Sequence, residues 1–335
     1  MPTRTRFGTF SVVAADRNRR EFGVAVQSKF ISVGAVVPWA EAGAGAVATQ
    51  ALANASYGPK GLELLRSGTK AQEVVRRLTG PDPDREHRQL GIVDRDGQAA
   101  AFTGSKCMDW AGHLVGEGFA CQGNILLSSE VVEAMARAME NTPGDLPERL
   151  LAALAAGQRM GGDRRGMQSA ALLVVKPAGS YGGTLDRWID VRVDDHPSPI
   201  EELKRIFGLY DLTLLTREDP ATLLPLDRER VATVQGDLRS LGFYFGPGNG
   251  QWDPATQEAF RKFLGVNNFE EKERSDGTIW PSVMAYLERA ARDAERKVSR
   301  ATGPVYGALE SGPGRPAAAP DRPGPGSPRR KGRSR

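Results

Sequence analysis

The sequence has few cysteines and histidines and no long apolar run. Two cysteines, Cys107 and Cys121, in 335 residues give neither a disulfide framework nor a Cys-x-x-Cys pair, which favours a reducing compartment. The three histidines, His87, His113 and His196, lack the spacing of a metal site. No apolar run reaches membrane-spanning length, no signal-type core opens the chain, and no phosphate-binding glycine motif is present. These absences predict a cytoplasmic protein without a membrane span, metal or cofactor.

The positive charge of the chain belongs to its C-terminal tail. The net charge is +4, with 40% apolar and 26% charged residues, which is ordinary for a globular protein. Residues 311–335 contain seven Lys or Arg and one Asp, so the other 310 residues carry a net charge of −2. The tail is rich in Pro, Gly and Arg and is predicted to be disordered from residue 299. Nucleic acid is therefore not expected as a partner, and a homo-oligomer stays open.

The chain opens on two runs of strand-forming residues that flank a charged turn. The runs at residues 7–16 and 22–30 flank a charged hinge, Asp-Arg-Asn-Arg-Arg at 16–20. This pattern predicts an antiparallel hairpin. Gly8 directly precedes Thr9 where the first strand starts. Glycine tolerates the sharp backbone geometry that a hydroxyl needs to attack the carbonyl before it.

Cleavage of the Gly8–Thr9 bond would give Thr9 a free α-amine beside its hydroxyl. An α-amine has an unperturbed pKa of roughly 8 and can act as a base near neutral pH, so one residue would supply nucleophile and base. Residues 1–8 would then be a propeptide. The alternative is that they are a frayed start and that Thr9 is an ordinary strand residue.

Strand and helix patterns continue to residue 212. The predicted order is four strands, two helices, three or more strands, two helices, two strands and one helix. Residues 34–39 and 115–124 are each predicted as one strand, and Asp96-Gly97 marks the clearest hairpin turn. Several strands are apolar on both faces, which predicts an α+β protein in which helices cover two stacked antiparallel sheets, a four-layer αββα sandwich.

Seven blocks in this region carry a family resemblance. They read Thr-Phe-Ser-Val-Val-Ala at 9–14, Gly-Ala-Val-Val-Pro-Trp-Ala at 34–40, Ala-Thr-Gln-Ala-Leu-Ala-Asn at 48–54, Tyr-Gly-Pro at 57–59, Cys-Met-Asp-Trp-Ala-Gly at 107–112, Gln-Gly-Asn at 122–124 and Gly-Gly-Asp-Arg-Arg-Gly at 161–166. Residues 9–195 thereby resemble a bacterial domain-of-unknown-function family grouped with the Ntn-hydrolase-like (N-terminal nucleophile) folds. The superfamily implies an amide-bond hydrolase.

The resemblance gives Thr9 the position of the nucleophile. Ser11 lies two residues along the same strand, therefore on the same face, and is the alternative hydroxyl. The resemblance also implies that Lys29 lies near the nucleophile and favours its free amine, and that Asp163 and Ser169 orient that amine. The further substrate-binding candidates are Ser28, Trp39, Gln50, Asn54 and Tyr57.

Asn124 could point its side-chain amide at the oxygen that becomes negative during attack on a carbonyl. Each of these residues also has a structural interpretation. Lys29 could be a solvated strand end, Asn124 a turn residue, and Asp163 a loop residue paired with Arg164 or Arg165. A nucleophilic pair of Cys107 and His113 is another reading, although a separation of six residues says nothing about contact.

One departure from the family pattern concerns the eight residues ahead of Thr9. Members that begin Met-Thr or Met-Ser could expose the nucleophile by methionine removal, whereas here residues 1–8 precede it. Three explanations are open. Either the Gly8–Thr9 bond cleaves itself, or the start codon is misplaced, or the activity is absent. We expect self-cleavage.

A second, helical region follows a linker at residues 213–227. Residues 228–298 resemble the peptidoglycan-binding domain family through Leu-Gly-Phe at 241–243, Asn-Gly at 249–250 and Pro-Ala-Thr at 254–256. Asp253 is the expected N-cap of its middle helix, followed by Pro254. Its aromatic residues, Phe243, Tyr244 and Trp252, fit a core better than a sugar-stacking surface.

Two functions remain open after the sequence is read. In the first, residues 9–212 form an amidohydrolase that acts through Thr9 on a small peptide-like or N-acylated substrate. In the second, the protein is a non-catalytic binding protein that recognises cell-wall fragments or a protein partner, because a fold does not prove an activity.

Overall fold

The computed structural model describes residues 8–215 and 217–302. Its N-terminal part is a mixed α+β domain with antiparallel sheets, which confirms the predicted class. Ten strands form these sheets: β1 (Thr9–Asp16), β2 (Glu21–Ser28), β3 (Pro38–Glu41), β4 (Gly45–Ala51), β5 (Arg88–Asp94), β6 (Ala99–Thr103), β7 (Gly112–Gly116), β8 (Phe119–Asn124), β9 (Ser169–Val175) and β10 (Arg187–Val193). Five helices accompany them: α1 (Tyr57–Arg66), α2 (Ala71–Thr79), α3 (Glu130–Asn141), α4 (Leu146–Arg159) and α5 (Pro199–Leu214).

The larger sheet places the opening hairpin at its centre. Its six strands run in the order β10-β9-β2-β1-β8-β7, and the smaller sheet runs β3-β4-β5-β6. Strand β1 pairs with β2 on one side and with β8 on the other. The register brings Ser169, Ser28, Thr9 and Asn124 side by side across four strands. Directly opposed residues point to the same face of a sheet, so these four side chains form one row.

Three apolar clusters show what each sheet face covers. On one face of the larger sheet, Phe10, Val12 and Leu172 pack with α3, α4 and α5. The other face meets the smaller sheet through a second cluster that includes Val13 and Val24. Helices α1 and α2 cover the far side of the smaller sheet in a third cluster. The alternation of side chains along β1 explains this arrangement, because successive residues point to opposite faces.

Two of the predicted strands differ in the structure. Residues 34–39 are not one strand: Val33–Ala35 forms a short 3-10 helix and β3 starts at Pro38. Residues 115–124 hold two strands, because the chain reverses at Glu117-Gly118 between β7 and β8. Gly118 has a φ of 76°, a backbone angle that glycine adopts at little cost. Apolar residues lie on both sides of this turn, which is why the sequence pattern predicts a single strand.

The C-terminal unit contains three helices and a short ladder. The helices are α6 (Arg228–Ser240), α7 (Pro254–Val266) and α8 (Pro281–Thr302), and β11 (Leu224–Pro225) pairs with β12 (Thr278–Ile279). Asp253 caps α7 by accepting a hydrogen bond from the Thr256 N–H at 2.8 Å, as the sequence predicts. Tyr244 is buried, and Phe243 and Trp252 pack against the same core.

The segment that joins the two units has structure of its own. Helix α5 continues to Leu214, and β11 lies inside the predicted linker. The Arg217 guanidinium contacts Asp145 at 2.5 Å, whereas Glu218 accepts hydrogen bonds from Lys272 at 2.8 Å and from Ser282 at 2.6 Å. Two consecutive residues therefore bind opposite units.

The helices that the structure describes include none long and apolar enough to cross a membrane. The predicted disordered tail begins inside α8, which ends at Thr302. The rest of that tail, like residues 1–7 of the predicted propeptide, lies outside the described residues.

Candidate active site

Three hydrogen-bond donors converge on the carbonyl oxygen of Gly8. The Thr9 hydroxyl donates to it at 2.6 Å, the Ser28 hydroxyl at 2.5 Å, and the Arg165 guanidinium at 2.8 Å. The Thr9 and Ser28 hydroxyl oxygens are also 2.9 Å apart. Thr9 is 3% exposed. A buried carbonyl oxygen with three donors, one of them charged, is polarised toward nucleophilic attack at its carbon.

The carboxylate of Asp163 holds this arrangement together. It accepts hydrogen bonds from the Arg165 side chain at 2.7 and 3.1 Å and from the Lys29 backbone N–H at 3.0 Å. A β-carbon added to Gly8 would lie 2.8 Å from both carboxylate oxygens, closer than β-carbons come to such atoms in proteins. Only glycine therefore fits at position 8 beside Asp163. The two parallel hydrogen bonds between Arg165 and the Asp163 carboxylate fix the direction of the guanidinium.

Left-handed backbone conformations cluster at the same end of the sheets. Ser32, Ala51 and Ile125 have φ angles of 52°, 65° and 54°. Ala51 is the last residue of β4, Ser32 lies four residues after β2, and Ile125 directly follows β8. Ile125 is β-branched, so this conformation is strained for it. The space for a Gly8 side chain is also blocked by Ile125 at 2.8 Å. Such strain concentrates at functional sites.

A network of amide side chains fills the space between the sheets next to Thr9. Gln50 accepts a hydrogen bond from the Ser11 hydroxyl at 2.6 Å and donates to the Thr9 carbonyl oxygen at 3.3 Å. Gln122 donates to Ser11 at 2.6 Å. Asn124, opposite Thr9 in the register, donates to Gln89 at 2.9 Å. The Ser11 hydroxyl and the Asn124 amide are thus engaged inside the protein, and neither points at the Gly8 carbonyl.

Gln89 is the centre of this network, and its replacement by Leu should destabilise the fold. Its amide nitrogen donates to Thr103 and to the carbonyl oxygens of Gly112 and Gly123, and its oxygen accepts from Gln50 and Asn124. Leu would leave buried groups unpaired at about 1–3 kcal/mol each. We expect denaturant unfolding to show a loss of about 3 kcal/mol. The exposed Gln72→Leu is the control, and equal stability of both variants would contradict the structural role of the network.

Two predicted site residues lie away from Thr9. The sequence places the Lys29 ammonium near the nucleophile, but that ammonium is exposed and donates to the Met167 carbonyl oxygen at 3.3 Å. Strand β2 ends at Ser28, so the chain turns there and only the Lys29 backbone joins the site. The Ser169 hydroxyl donates to the Phe30 carbonyl oxygen at 2.5 Å and accepts from the Val33 N–H. Ser169 therefore fixes the turn after β2.

Three of the substrate-binding candidates stabilise the start of α1. The Trp39 ring packs against Gly58, and its indole N–H donates to the Val36 carbonyl oxygen at 2.9 Å. Asn54 accepts hydrogen bonds from the backbone and hydroxyl of Ser56. The Tyr57 hydroxyl is 2.6 Å from Asp82, and burial together with that carboxylate raises its pKa. Ser28 and Gln50 are the two candidates that contact Thr9.

Cys107 and His113, the alternative nucleophilic pair, each contact a different residue. The Cys107 thiol donates to the Arg88 carbonyl oxygen, and the His113 ring contacts Thr103 at 2.8 Å. Burial raises the pKa of Cys107 to about 11, which disfavours the thiolate that a nucleophile needs. Within the described ranges, no group of three or more His, Cys, Asp or Glu side chains could hold a metal ion.

The residues around Thr9 lie within a segment that matches a family model. Residues 9–203 match the model described as "Family of unknown function (DUF1028)". The chain belongs to DUF1028. The seven-block resemblance to a family of unknown function is thereby confirmed. Residues 213–287 match a second model, "Putative peptidoglycan binding domain", so the DUF1028 domain is followed by a domain of that kind.

A solved structure carries the same family name. The crystal structure of protein SPO2555 from Silicibacter pomeroyi, family-model DUF1028, is 32% identical to this chain, with a TM-score of 0.55. The similarity covers 61% of this chain and 89% of that one. No curated protein matches the chain. The name of that relative states no activity.

Arg165 is the residue of this DUF1028 site that the sequence did not single out. The sequence offers it only as one of two ion-pair partners for Asp163, and that pairing is present at 2.7 Å. Its contact with Gly8 joins residues 157 positions apart, and a single sequence holds no pattern for such a contact. The Gly-Gly-Asp-Arg-Arg-Gly run was the available signal, because it holds two cations beside a buried carboxylate.

Proposed function

We propose that the protein is an N-terminal-nucleophile amidohydrolase that activates itself by cleaving the Gly8–Thr9 bond. The observation that carries this proposal is the convergence of the Thr9, Ser28 and Arg165 donors on the Gly8 carbonyl oxygen. These groups are placed where negative charge would develop during attack on that carbonyl. The arrangement needs glycine at position 8, since Asp163 and Ile125 occupy the space of any side chain.

Self-cleavage would begin with attack of the Thr9 hydroxyl oxygen on the Gly8 carbonyl carbon. The hydroxyl proton passes to the Ser28 oxygen, which is 2.9 Å away, while the Ser28 proton moves to the carbonyl oxygen. When that oxygen re-forms its double bond, the carbon–nitrogen bond breaks and the Thr9 nitrogen takes the proton to become a free amine. Water then hydrolyses the Thr9 ester and releases residues 1–8 with a carboxyl end.

The mature enzyme would repeat this chemistry on an external amide. The Thr9 hydroxyl attacks the substrate carbonyl, the α-amine accepts its proton and passes it to the leaving amine, and water releases the acyl group. Asp163, which lies against Gly8, would then face the new amine and keep it oriented. The packing of helices outside the two sheets supports the proposed four-layer αββα class. The substrate class is a small peptide-like or N-acylated compound.

A non-catalytic binding protein is the second candidate function. It is favoured by the burial of Thr9 at 3% exposure and by the saturated hydrogen bonds of Ser11 and Asn124. In that case the C-terminal domain would recognise cell-wall fragments, as its family name suggests.

Intact-mass measurement and N-terminal sequencing separate the two candidates. We expect the purified protein to lose residues 1–8 and to present Thr9 as its first residue, because the donors around Gly8 favour cleavage there and nowhere else. The reference sample is protein denatured immediately after synthesis, which should retain the full mass. A mass that still includes residues 1–8 after days at neutral pH would favour the binding protein.

A further inference from the structure

A polar cavity lies at the junction of the two units, away from Thr9. Its volume is about 400 Å³. Its walls come from the start of β2, the start of α4, β10, the end of α5 and the joining segment. The charged lining residues and the one aromatic are Arg19, Glu21, Asp145, Glu148, Lys176, Trp188, Asp211, Arg217 and Glu218.

Negative charge is in excess in this cavity, and part of it is unpaired. Five carboxylates face three cations. One oxygen each of Glu21, Asp145 and Glu148 is buried without a hydrogen-bond partner among the described residues. Glu21 is 3% exposed and Asp145 is 7% exposed, so bulk water does not compensate them. Buried acceptors of this kind require donors.

The three cations of the cavity already have partners, and the Arg19 guanidinium lies 3.6 Å from one Asp145 carboxylate oxygen. The Lys176 ammonium lies 3.4 Å from the centre of the Trp188 ring, a cation–π contact. The Arg217 guanidinium is shared among Asp211 and one oxygen each of Asp145 and Glu148, at 2.5 to 2.7 Å. These contacts leave the other oxygens of Asp145 and Glu148, two of the residues that line the cavity, without a donor among the described residues.

We propose that this junction cavity binds a small organic cation with several N–H donors, namely an alkylguanidinium. Its planar group carries N–H donors on separate nitrogens, so it would donate one charge-assisted hydrogen bond to the unpaired oxygen of Glu21 and another to that of Asp145. The aliphatic tail would lie toward the Trp188 side of the cavity. This site is independent of the amidohydrolase proposal, because Thr9 takes no part in it.

The state of Glu21 gives the proposal a pH signature. Burial, together with the nearby Asp145 and Asp16 carboxylates, raises the pKa of Glu21 to about 7, although Lys176 and Arg19 act in the opposite direction. A bound cation favours the ionised carboxylate. Binding below pH 7 must therefore release a proton, and affinity should rise with pH and level off above about 7.

Titration calorimetry with N-butylguanidinium chloride and the full-length protein tests the proposal. The neutral, shape-matched N-butylurea is the comparison ligand. We expect the guanidinium to bind at least about tenfold more tightly than the urea at pH 8, since a buried carboxylate distinguishes them by charge. At pH 6 its binding enthalpy should change with the ionisation enthalpy of the buffer, which reports proton release. Equal binding of both compounds, or no binding of either, would overturn the proposal.

A variant locates the site. Glu21→Gln keeps the shape of the side chain and removes its charge, so the guanidinium should bind it at least about tenfold more weakly and without proton release. The matched control is Glu258→Gln, an exposed carboxylate on α7, which should bind like the unmodified protein. Melting temperatures of both variants establish that they fold. If folded Glu21→Gln binds the guanidinium with unchanged affinity, the ligand binds elsewhere and the junction cavity is not its site.

Discussion

Replacement of Thr9 by Ala should leave residues 1–8 attached and abolish amide hydrolysis. The hydroxyl of Thr9 is the proposed nucleophile in both steps, so the variant has neither the attacking oxygen nor a newly formed α-amine. We expect hydrolysis of a panel of amides, dipeptides and muropeptides to fall by about 10³-fold or more, to the background rate. Intact mass reports the first step, and release of amine from the panel reports the second.

The matched variant for this experiment is Thr9→Ser. Serine keeps the hydroxyl within reach of Ser28 and the Gly8 carbonyl, so cleavage and hydrolysis should persist at a reduced rate. Ser11→Ala tests the alternative hydroxyl, because a nucleophilic Ser11 would make that variant inactive. Hydrolysis that survives Thr9→Ala unchanged would refute the role of Thr9 and leave the binding protein as the better reading.

Replacement of Arg165 by Met should slow cleavage of the Gly8–Thr9 bond by about 10²–10³-fold. The guanidinium is the charged donor to the Gly8 carbonyl oxygen, at 2.8 Å, and loss of one such donor typically costs a rate factor of that size. The rate is measured as the loss of full-length mass over time. The neighbouring Arg164→Met is the control, since the Arg164 guanidinium donates to the Asp109 carbonyl oxygen instead.

Loss of Arg165 also removes the ion-pair partner of a buried carboxylate, so stability must be separated from rate. The Asp163 side chain is fully buried, and an unpaired charge there should cost about 3–5 kcal/mol. The double variant Asp163→Asn with Arg165→Met removes that charge and should recover most of the stability without recovering cleavage. Cleavage at the original rate in the stable double variant would contradict a direct role for the guanidinium.

The sequence predicted the local elements well because their signals are local. The hairpin of β1 and β2, the Asp96-Gly97 turn and the Asp253 cap each depend on residues within a few positions of one another. The turn at Glu117-Gly118 gives a weak local signal, because apolar residues continue on both sides of it. The pairing of β11 with β12 spans more than 50 residues, and no periodicity in the sequence reports it.

For the candidate site, the sequence indicates which positions to consider, but only the structure shows the direction of each side chain. The strand register places Thr9 next to Ser28, and the loop ahead of β9 brings Asp163 against Gly8. The sequence could not show which way Lys29 points once β2 ends, and it points to solvent. Nor could the sequence show that the Asn124 side-chain amide donates its hydrogen bond to Gln89. Side-chain direction at strand ends depends on tertiary contacts rather than on spacing.

The two consecutive residues that bind opposite units decide where the chain can be divided. Lys272 is buried in the C-terminal unit at 5% exposure, and its ammonium bonds to the Leu215 carbonyl oxygen and the Glu218 carboxylate. A fragment that starts after Glu218 would keep the buried ammonium and lose both acceptors. Anyone who wishes to isolate the C-terminal unit should therefore begin the fragment ahead of Leu215, well before its first helix.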